Sequence, residues 1–164
     1  MQTARIGNMG RDRLMIDRIH DPYQARRKPA EPCVCRACGA VFEHGRWRWG
    51  LRPREARQDL CEACHRIRTG LQAGSVSLAG DFVRRRRAEM VCLIRHQEAQ
   101  ENREHPQHRI MSLEPTTAGL LVRTTDLHLP RRIGEALRRA YKGELDLHFE
   151  TGSCSIRVSW RRES

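Results

Sequence analysis

Cys35-Arg-Ala-Cys38-Gly39 and, beyond an interval of twenty-two residues, Cys61-Glu-Ala-Cys64-His65-Arg-Ile67 form the stretch on which the fold of this chain turns. Two C-x2-C pairs at that separation supply four thiolates. This is the donor set that a structural Zn2+ takes in tetrahedral geometry, and it leaves no coordination position open for water. Gly39 lets the backbone turn behind the second cysteine, so that amide hydrogens can point at sulfur in the manner of a zinc knuckle. Between the pairs, residues 44–49 alternate Arg46 and Arg48 with Trp47 and Trp49 and read as a short strand. The second pair stands where a helix would begin, with Gly70 as its stop.

Knuckle, hairpin and helix in that order predict a treble-clef or zinc-ribbon-like four-cysteine module over residues 33–73, its metal held by Cys35, Cys38, Cys61 and Cys64. Zinc binding carries about 10–16 kcal/mol in small fingers, enough to offset the ordering of a unit with little core. Iron is the alternative occupant of the same sulfur set. Cys33 is too near Cys35 to complete a knuckle with it. The ring of His65, directly after Cys64, would point away from the metal, so both read as bystanders. Cys92 and Cys154 stand alone and are predicted to be buried as small apolar residues.

Outward from the module, residues 1–32 are rich in Arg, Asp, Pro and Gln and read as a basic arm that orders on a partner. Residues 74–104 are predicted to give a strand around Val76 and Leu78, then a long connecting helix capped by Asp81, with Val83, Met90, Val91 and Ile94 near one face. Arg84, Arg85, Arg86 and Arg87 crowd its first turns, and Glu98, Glu101 and Glu104 its last. That order opposes the helix dipole at both ends. Residues 105–164 predict a ββαββ unit, with strands over 109–113, 120–125, 145–150 and 155–160. Its helix would run to Lys142, with Leu129, Ile133, Leu137 and Tyr141 facing the sheet and Arg131, Arg138 and Lys142 on another side. The fold class is α+β.

The chain has 31 Lys plus Arg against 20 Asp plus Glu in 164 residues, a formal net charge of +11. Such a surplus surrounds a small protein with a field of several kT, and its partner should be anionic. Lys28 and Lys142 are the only lysines. Arg is a planar fork that clamps phosphate and stacks on bases, which suits nucleic acid better than diffuse attraction to a membrane. No stretch approaches the ~20 apolar residues of a membrane span. No apolar run marks residues 1–10 as a signal peptide. These features predict a cytoplasmic protein, where paired C-x2-C motifs hold metal more often than they form disulfides.

The run Leu60-Cys61-Glu-Ala-Cys64-His65-Arg-Ile-Arg68 resembles the second half of HNH-type nucleases. That chemistry needs a further general-base His on the hairpin and a metal-binding Asp or His beside it. Residues 39–60 offer only His44, close to the knuckle, and Asp59, close to Cys61, so the nuclease reading ranks last.

A second resemblance covers more of the chain. The knuckle Cys35-Arg-Ala-Cys38-Gly39, the pair Cys61 and Cys64, and the run Asp126-Leu-His-Leu-Pro-Arg-Arg-Ile133-Gly-Glu-Ala-Leu137 resemble the "nonsense-mediated decay three" family, adaptors of the large ribosomal subunit. The stretches Cys38-Gly-Ala-Val-Phe42 and Gly45-Arg46-Trp47 resemble short bacterial zinc-knuckle proteins of no assigned activity. The first resemblance implies a zinc role for Cys35, Cys38, Cys61 and Cys64. Together they imply a small zinc protein bound to ribosomal RNA or to the ribosome.

The resulting expectation is a non-catalytic zinc protein on structured RNA, with the large ribosomal subunit favoured as partner. The alternative is a zinc-ribbon DNA-binding or transcription-regulatory protein. Arg46, Trp47, Arg48 and Trp49, Arg84 to Arg87, and Arg131, Arg138 and Lys142 are the expected nucleic-acid contacts, the tryptophans by stacking on bases. One of the two tryptophans is expected to be core.

Overall fold

The smaller sheet of the molecule is built by four strands of three residues each, β1 (Cys33–Cys35), β2 (Val41–Glu43), β3 (Arg46–Arg48) and β4 (Arg57–Asp59). They are seen in a computed structural model that describes residues 28–164; the greater part of the N-terminal arm, residues 1–27, lies outside the described residues. The strand order is β3-β2-β1-β4. β2 and β3 form a hairpin whose two turn residues, His44 and Gly45, both take positive φ (54° and 76°). That is the requirement of a two-residue turn matched to strand twist. The Glu31 carboxylate secures it by accepting the backbone N–H groups of His44 and Gly45 at 3.1 and 2.8 Å. β4 runs parallel to β1, pairing Asp59 with Cys35. The chain leaves β4 two residues before Cys61, next to the first knuckle. Helix α1 (Glu62–Thr69) then starts with Cys61 as its N-cap and ends at Gly70.

The larger sheet has five strands, β5 (Gly74–Ala79), β6 (Ile110–Pro115), β7 (Gly119–Thr124), β8 (Glu144–Glu150) and β9 (Ser155–Arg161), in the order β6-β7-β5-β9-β8. Helices α2 (Asp81–Arg85) and α3 (Arg87–Asn102) follow β5, and α4 (His128–Tyr141) joins β7 to β8. α4 packs on β5, β8 and β9, and α3 packs on α4. Leu129, Ile133 and Leu137 of α4 are fully buried with Val76, Leu78, Val122, Ile156, Val158 and Trp160 of the sheet and Met90 and Ile94 of α3. Trp160 satisfies its only polar atom by donating Nε1–H to the Lys142 carbonyl at 2.8 Å. The strands and helix expected over 105–164 are present with shifts of one or two residues at their ends, and Tyr141 sits half-buried against Phe82 with ring centroids 5.5 Å apart.

The structure differs from the sequence reading chiefly in three places; in addition, Asp81 is the first residue of α2 and the cap position is held by Gly80, with no side-chain capping bond. β5, assigned by sequence to a connecting segment, is the central strand of the sheet, antiparallel to β7 and parallel to β9. Residues 74–104 and 105–164 therefore share one core. Second, the long helix is broken at Arg86 (φ −115°, ψ 28°). The break relieves part of the expected conflict with the dipole, although Arg86 and Arg87 still stand at the start of α3. Arg84 and Arg85 now sit in the last turn of α2, where cations are favoured, and Glu89 in the first turn of α3. At the far end, Glu101 pairs with Arg132 at 2.8 Å, and Glu98 takes Arg95 at 2.9 Å and the Ile110 N–H at 2.7 Å. Third, Cys92 is exposed on α3 and Cys154 is only half-buried, in the β8–β9 turn at φ 47°. The buried stripe of α3 runs through Met90, Ile94, Gln97 and Glu101 and leaves position 92 on the outer side.

Gly80 joins β5 to α2 at φ 108°, and an added Cβ would lie 2.0 Å from the Arg162 carbonyl oxygen. Both partners are backbone, so the clash cannot be relieved by a rotamer change. Gly80→Ala is expected to cost about 2–4 kcal/mol, from a forbidden backbone region together with overpacking. Thermal denaturation followed by circular dichroism should show the melting temperature falling by about 10 °C.

Candidate metal centre and basic surfaces

Local folding brings the two cysteine pairs together. In the first knuckle the Cys35 N–H donates to the Ala40 carbonyl at 2.8 Å and the Gly39 N–H to the Cys35 carbonyl at 2.9 Å, closing the loop that carries Cys38. In the second, the Cys64 N–H reaches the Cys61 sulfur at 3.5 Å, and the Cys61 N–H reaches Cys35 Sγ at 3.3 Å. The Sγ atoms of Cys35, Cys38, Cys61 and Cys64 all lie within 4.8 Å of one another, and Cys38 Sγ is 3.7 Å from Cys61 Sγ. A tetrahedral ion with metal–sulfur bonds of about 2.3 Å has sulfur–sulfur edges of about 3.8 Å. The quartet can therefore hold a metal ion, and its geometry is consistent with zinc. Cys35, Cys61 and Cys64 are buried and Cys38 is half-buried.

The charges of the cluster argue the same way. The hydrogen bond from Cys61 pulls the Cys38 thiol down to about 5. That same bond, together with burial, pushes Cys61 up. Burial also raises Cys64, opposed by a hydrogen bond from Arg109. Four enclosed sulfurs cannot all ionise against one another unless a cation replaces their protons.

Two residues that sequence reasoning did not single out complete the centre. Arg109 donates from Nη1 to Cys64 Sγ at 3.1 Å, and Gln107 accepts the Ala63 N–H on its Oε1 at 2.9 Å, beside the second cysteine pair. Both come from the segment entering β6, so the five-stranded unit supplies the outer contacts of the sulfur cluster. Such contacts orient ligands and temper their charge. No local motif marks them. Cys33, buried in β1, and His65, exposed on α1, stay outside the quartet, as expected. His44 and Asp59 are exposed, and neither belongs to a metal-ligand group among the described residues.

Between Gln107 and Arg109, His108 faces the other way. Its Nδ1 lies 2.8 Å from Glu101 Oε2 and its Nε2 3.7 Å from Asp126 Oδ2. Glu101, His105 and His108 form a second group with metal-ligand atoms in reach. However, the Glu101 oxygens are already engaged by Arg132 and His108, and the cluster reads as an ion-pair lock joining α3 to α4. Asp126 Oδ2 accepts the N–H groups of His128 and Leu129 at 2.7 and 2.9 Å and so caps α4. Burial pushes the Asp126 carboxyl up to about 6 against the pull of those two bonds. A folded-state value above the unfolded one means that the folded chain binds the proton more tightly. The stability this confers is complete below pH ~4 and is lost as pH rises through about 6. Burial shifts His108 in the opposite direction, so the comparison has to be made against a variant. Asp126→Asn, which keeps a cap, is expected to remove a fall in stability on the order of 2 kcal/mol between pH 4 and 6.5. Urea titrations at a series of pH values should show the two profiles converging at low pH.

The expected contact residues fall into three places. Arg46 and Arg48 are exposed on β3, Arg48 pairing with Glu43. Trp47 between them turns to the other face and packs half-buried on Phe42, ring centroids 5.3 Å apart, and on the cysteine cluster. Trp49 is 39% exposed and donates Nε1–H to the Asn102 carbonyl at 2.5 Å. Neither tryptophan is fully core. Arg84, Arg85, Arg86 and Arg87 are all exposed around the α2–α3 corner, with Arg84 paired to Asp81 and Arg86 to Glu89. On α4, Arg131 and Arg138 are half-buried, Arg131 holding Glu135 at 2.9 Å, and Lys142 is exposed just beyond the helix. No helix among the described residues is long and apolar enough to cross a membrane.

No model of a known protein family, no curated protein and no solved structure matches this chain.

Proposed function

We propose that this chain is a non-catalytic zinc protein of treble-clef type that binds structured RNA, most directly the RNA of the large ribosomal subunit, in the cytoplasm. The observation that carries the reading is the placement of exposed arginines on both parts of the molecule. Arg46 and Arg48 sit on the sulfur-bearing sheet and Arg84 to Arg87 on the corner of the larger unit, in a chain of net charge +11. A basic surface spread over separate elements suits a partner with phosphates in several directions, as a folded RNA has. The quartet supports a structural metal, because four sulfurs close a tetrahedral ion to water and substrate. The resemblance of the knuckles and of residues 126–137 to ribosomal adaptors points to the large subunit in particular.

The test is to crosslink the protein in growing cells, digest, and sequence the nucleic acid that stays attached. Large-subunit ribosomal RNA should dominate the recovered reads. Recovery chiefly of genomic DNA fragments would overturn the proposal and install the transcription-regulatory reading.

A further inference from the structure

A cavity of about 300 Å3 opens where the sulfur-bearing sheet meets the segment that leads into β6. Its lining includes Phe42, Trp47, His105 and His108, the cations Lys28 and Arg46, and one carboxylate, Glu62. Both aromatic walls are held in place. Trp47 rests on Phe42 and on the cysteine cluster. His105 is the exposed outer member of a ladder of three imidazoles, with centroids of His105 and His108 4.6 Å apart and of His108 and His128 5.3 Å apart, the planes inclined by 28° and 24°. The middle ring is anchored by Glu101 at 2.8 Å. Lys28 and Arg46 are both exposed.

We infer that this cavity receives one unpaired nucleotide of RNA, its base against Trp47 and His105 and its phosphate on Arg46 and Lys28. The inference rests on the RNA-binding reading above and adds to it the feature of the RNA that is recognised. The volume stands at the lower end of small-ligand pockets, about 300–1,000 Å3, which accommodates a single nucleotide and excludes a duplex. A flat heterocycle entering there lengthens an imidazole stack that already exists and gains an indole wall, so that the side-chain ordering left to be done falls mainly on Lys28 and Arg46. Selective RNA contacts are made to loops, bulges and ends for this reason: only an unstacked base can be taken between aromatic rings.

The test uses the full-length, zinc-loaded chain and fluorescence anisotropy with three labelled oligonucleotides. These are a blunt RNA hairpin, the same hairpin with a single-nucleotide bulge, and the DNA counterpart of the bulged form. The bulged RNA should bind about tenfold more tightly than the blunt one, the scale of one stacked base. Trp47→Ala and His105→Ala should each bring the ratio of the two affinities to about one while zinc content holds, and Trp47→Phe should keep most of it. Equal affinity of the native chain for the two hairpins would overturn the cavity assignment and leave the RNA-binding reading standing. Failure to bind either hairpin at low salt would remove the parent reading, and the assignment with it. Bulged DNA bound as tightly as bulged RNA would overturn the assignment to RNA.

Discussion

Replacing Cys61 with serine should strip the metal from the chain and unfold residues 33–73. Cys61 is the most connected of the four cysteines: it caps α1, receives the Cys64 N–H, donates its own N–H to Cys35 Sγ, and has Cys38 Sγ 3.7 Å away. The four-cysteine unit has a buried cluster of only Cys35, Ala40, Cys61, Ala63 and Cys64 besides its short strands. Metal binding worth about 10–16 kcal/mol in comparable small units would therefore dominate its stability. The five-stranded unit has its own core around Trp160 and α4 and should persist. Elemental analysis should give one zinc per native chain and none per variant. Hydrogen exchange should then show protection lost over 33–73 and kept in β5, β7, β9 and α4. Local loosening is expected at Gln107 and Arg109, because their partners Ala63 and Cys64 depart. A fully stable Cys61→Ser chain, or iron in place of zinc, would contradict this account of the metal.

Removing two charges at the α2–α3 corner should leave the fold alone and change the salt dependence of RNA binding. Arg85 and Arg86 are exposed; Arg85 reaches the Glu163 carbonyl at 3.5 Å, and Arg86 pairs with Glu89 at 3.0 Å and lies 5.8 Å from the centre of the Phe82 ring. Exposed pairs of this kind contribute about 0–1 kcal/mol, so the melting temperature of the double alanine variant should stay close to that of the native chain. Each neutralised phosphate releases condensed counterions, so log affinity falls linearly with log salt. Loss of both arginines should flatten that line by about two units of slope and weaken low-salt binding at least about tenfold. Trp47→Ala should instead weaken binding at every salt concentration with little change in slope, since stacking releases no counterions. An unchanged slope in the double variant would remove the corner from the proposed RNA-binding surface.

Much of this architecture is legible in the residues because it depends on local pattern. The spacing of the cysteine pairs identifies the quartet, since two pairs of thiols with two residues between the members of each pair have one common use in a small unit. The four-residue recurrence of Leu129, Ile133 and Leu137 locates α4 and its buried face, and Thr151-Gly152-Ser153 marks the turn between the last two strands. Features that arise from distant contacts are not legible in this way. Nothing in Gly74–Ala79 states that it will lie between β7 and β9, because its parallel partner is some eighty residues further along the chain. The interruption at Arg86 has neither Gly nor Pro to announce it. Arg109 reads as the start of a strand, and only the folded chain brings its guanidinium to Cys64. The burial expected for Cys92 fails for the opposite reason. Composition suggests an apolar position, whereas the helical phase set by Met90 and Ile94 turns it outward.

The central proposal, that this chain is a zinc protein that binds the large ribosomal subunit, is tested most directly by sedimentation with competitors. Ribosomes, native protein and either free large subunits or duplex DNA at matched phosphate concentration are spun through a sucrose cushion, and the protein in the pellet is measured. The account predicts that free large subunits displace the protein while duplex DNA leaves most of it bound, with release by either route growing as salt rises. Displacement by duplex DNA as effective as that by large subunits would contradict it.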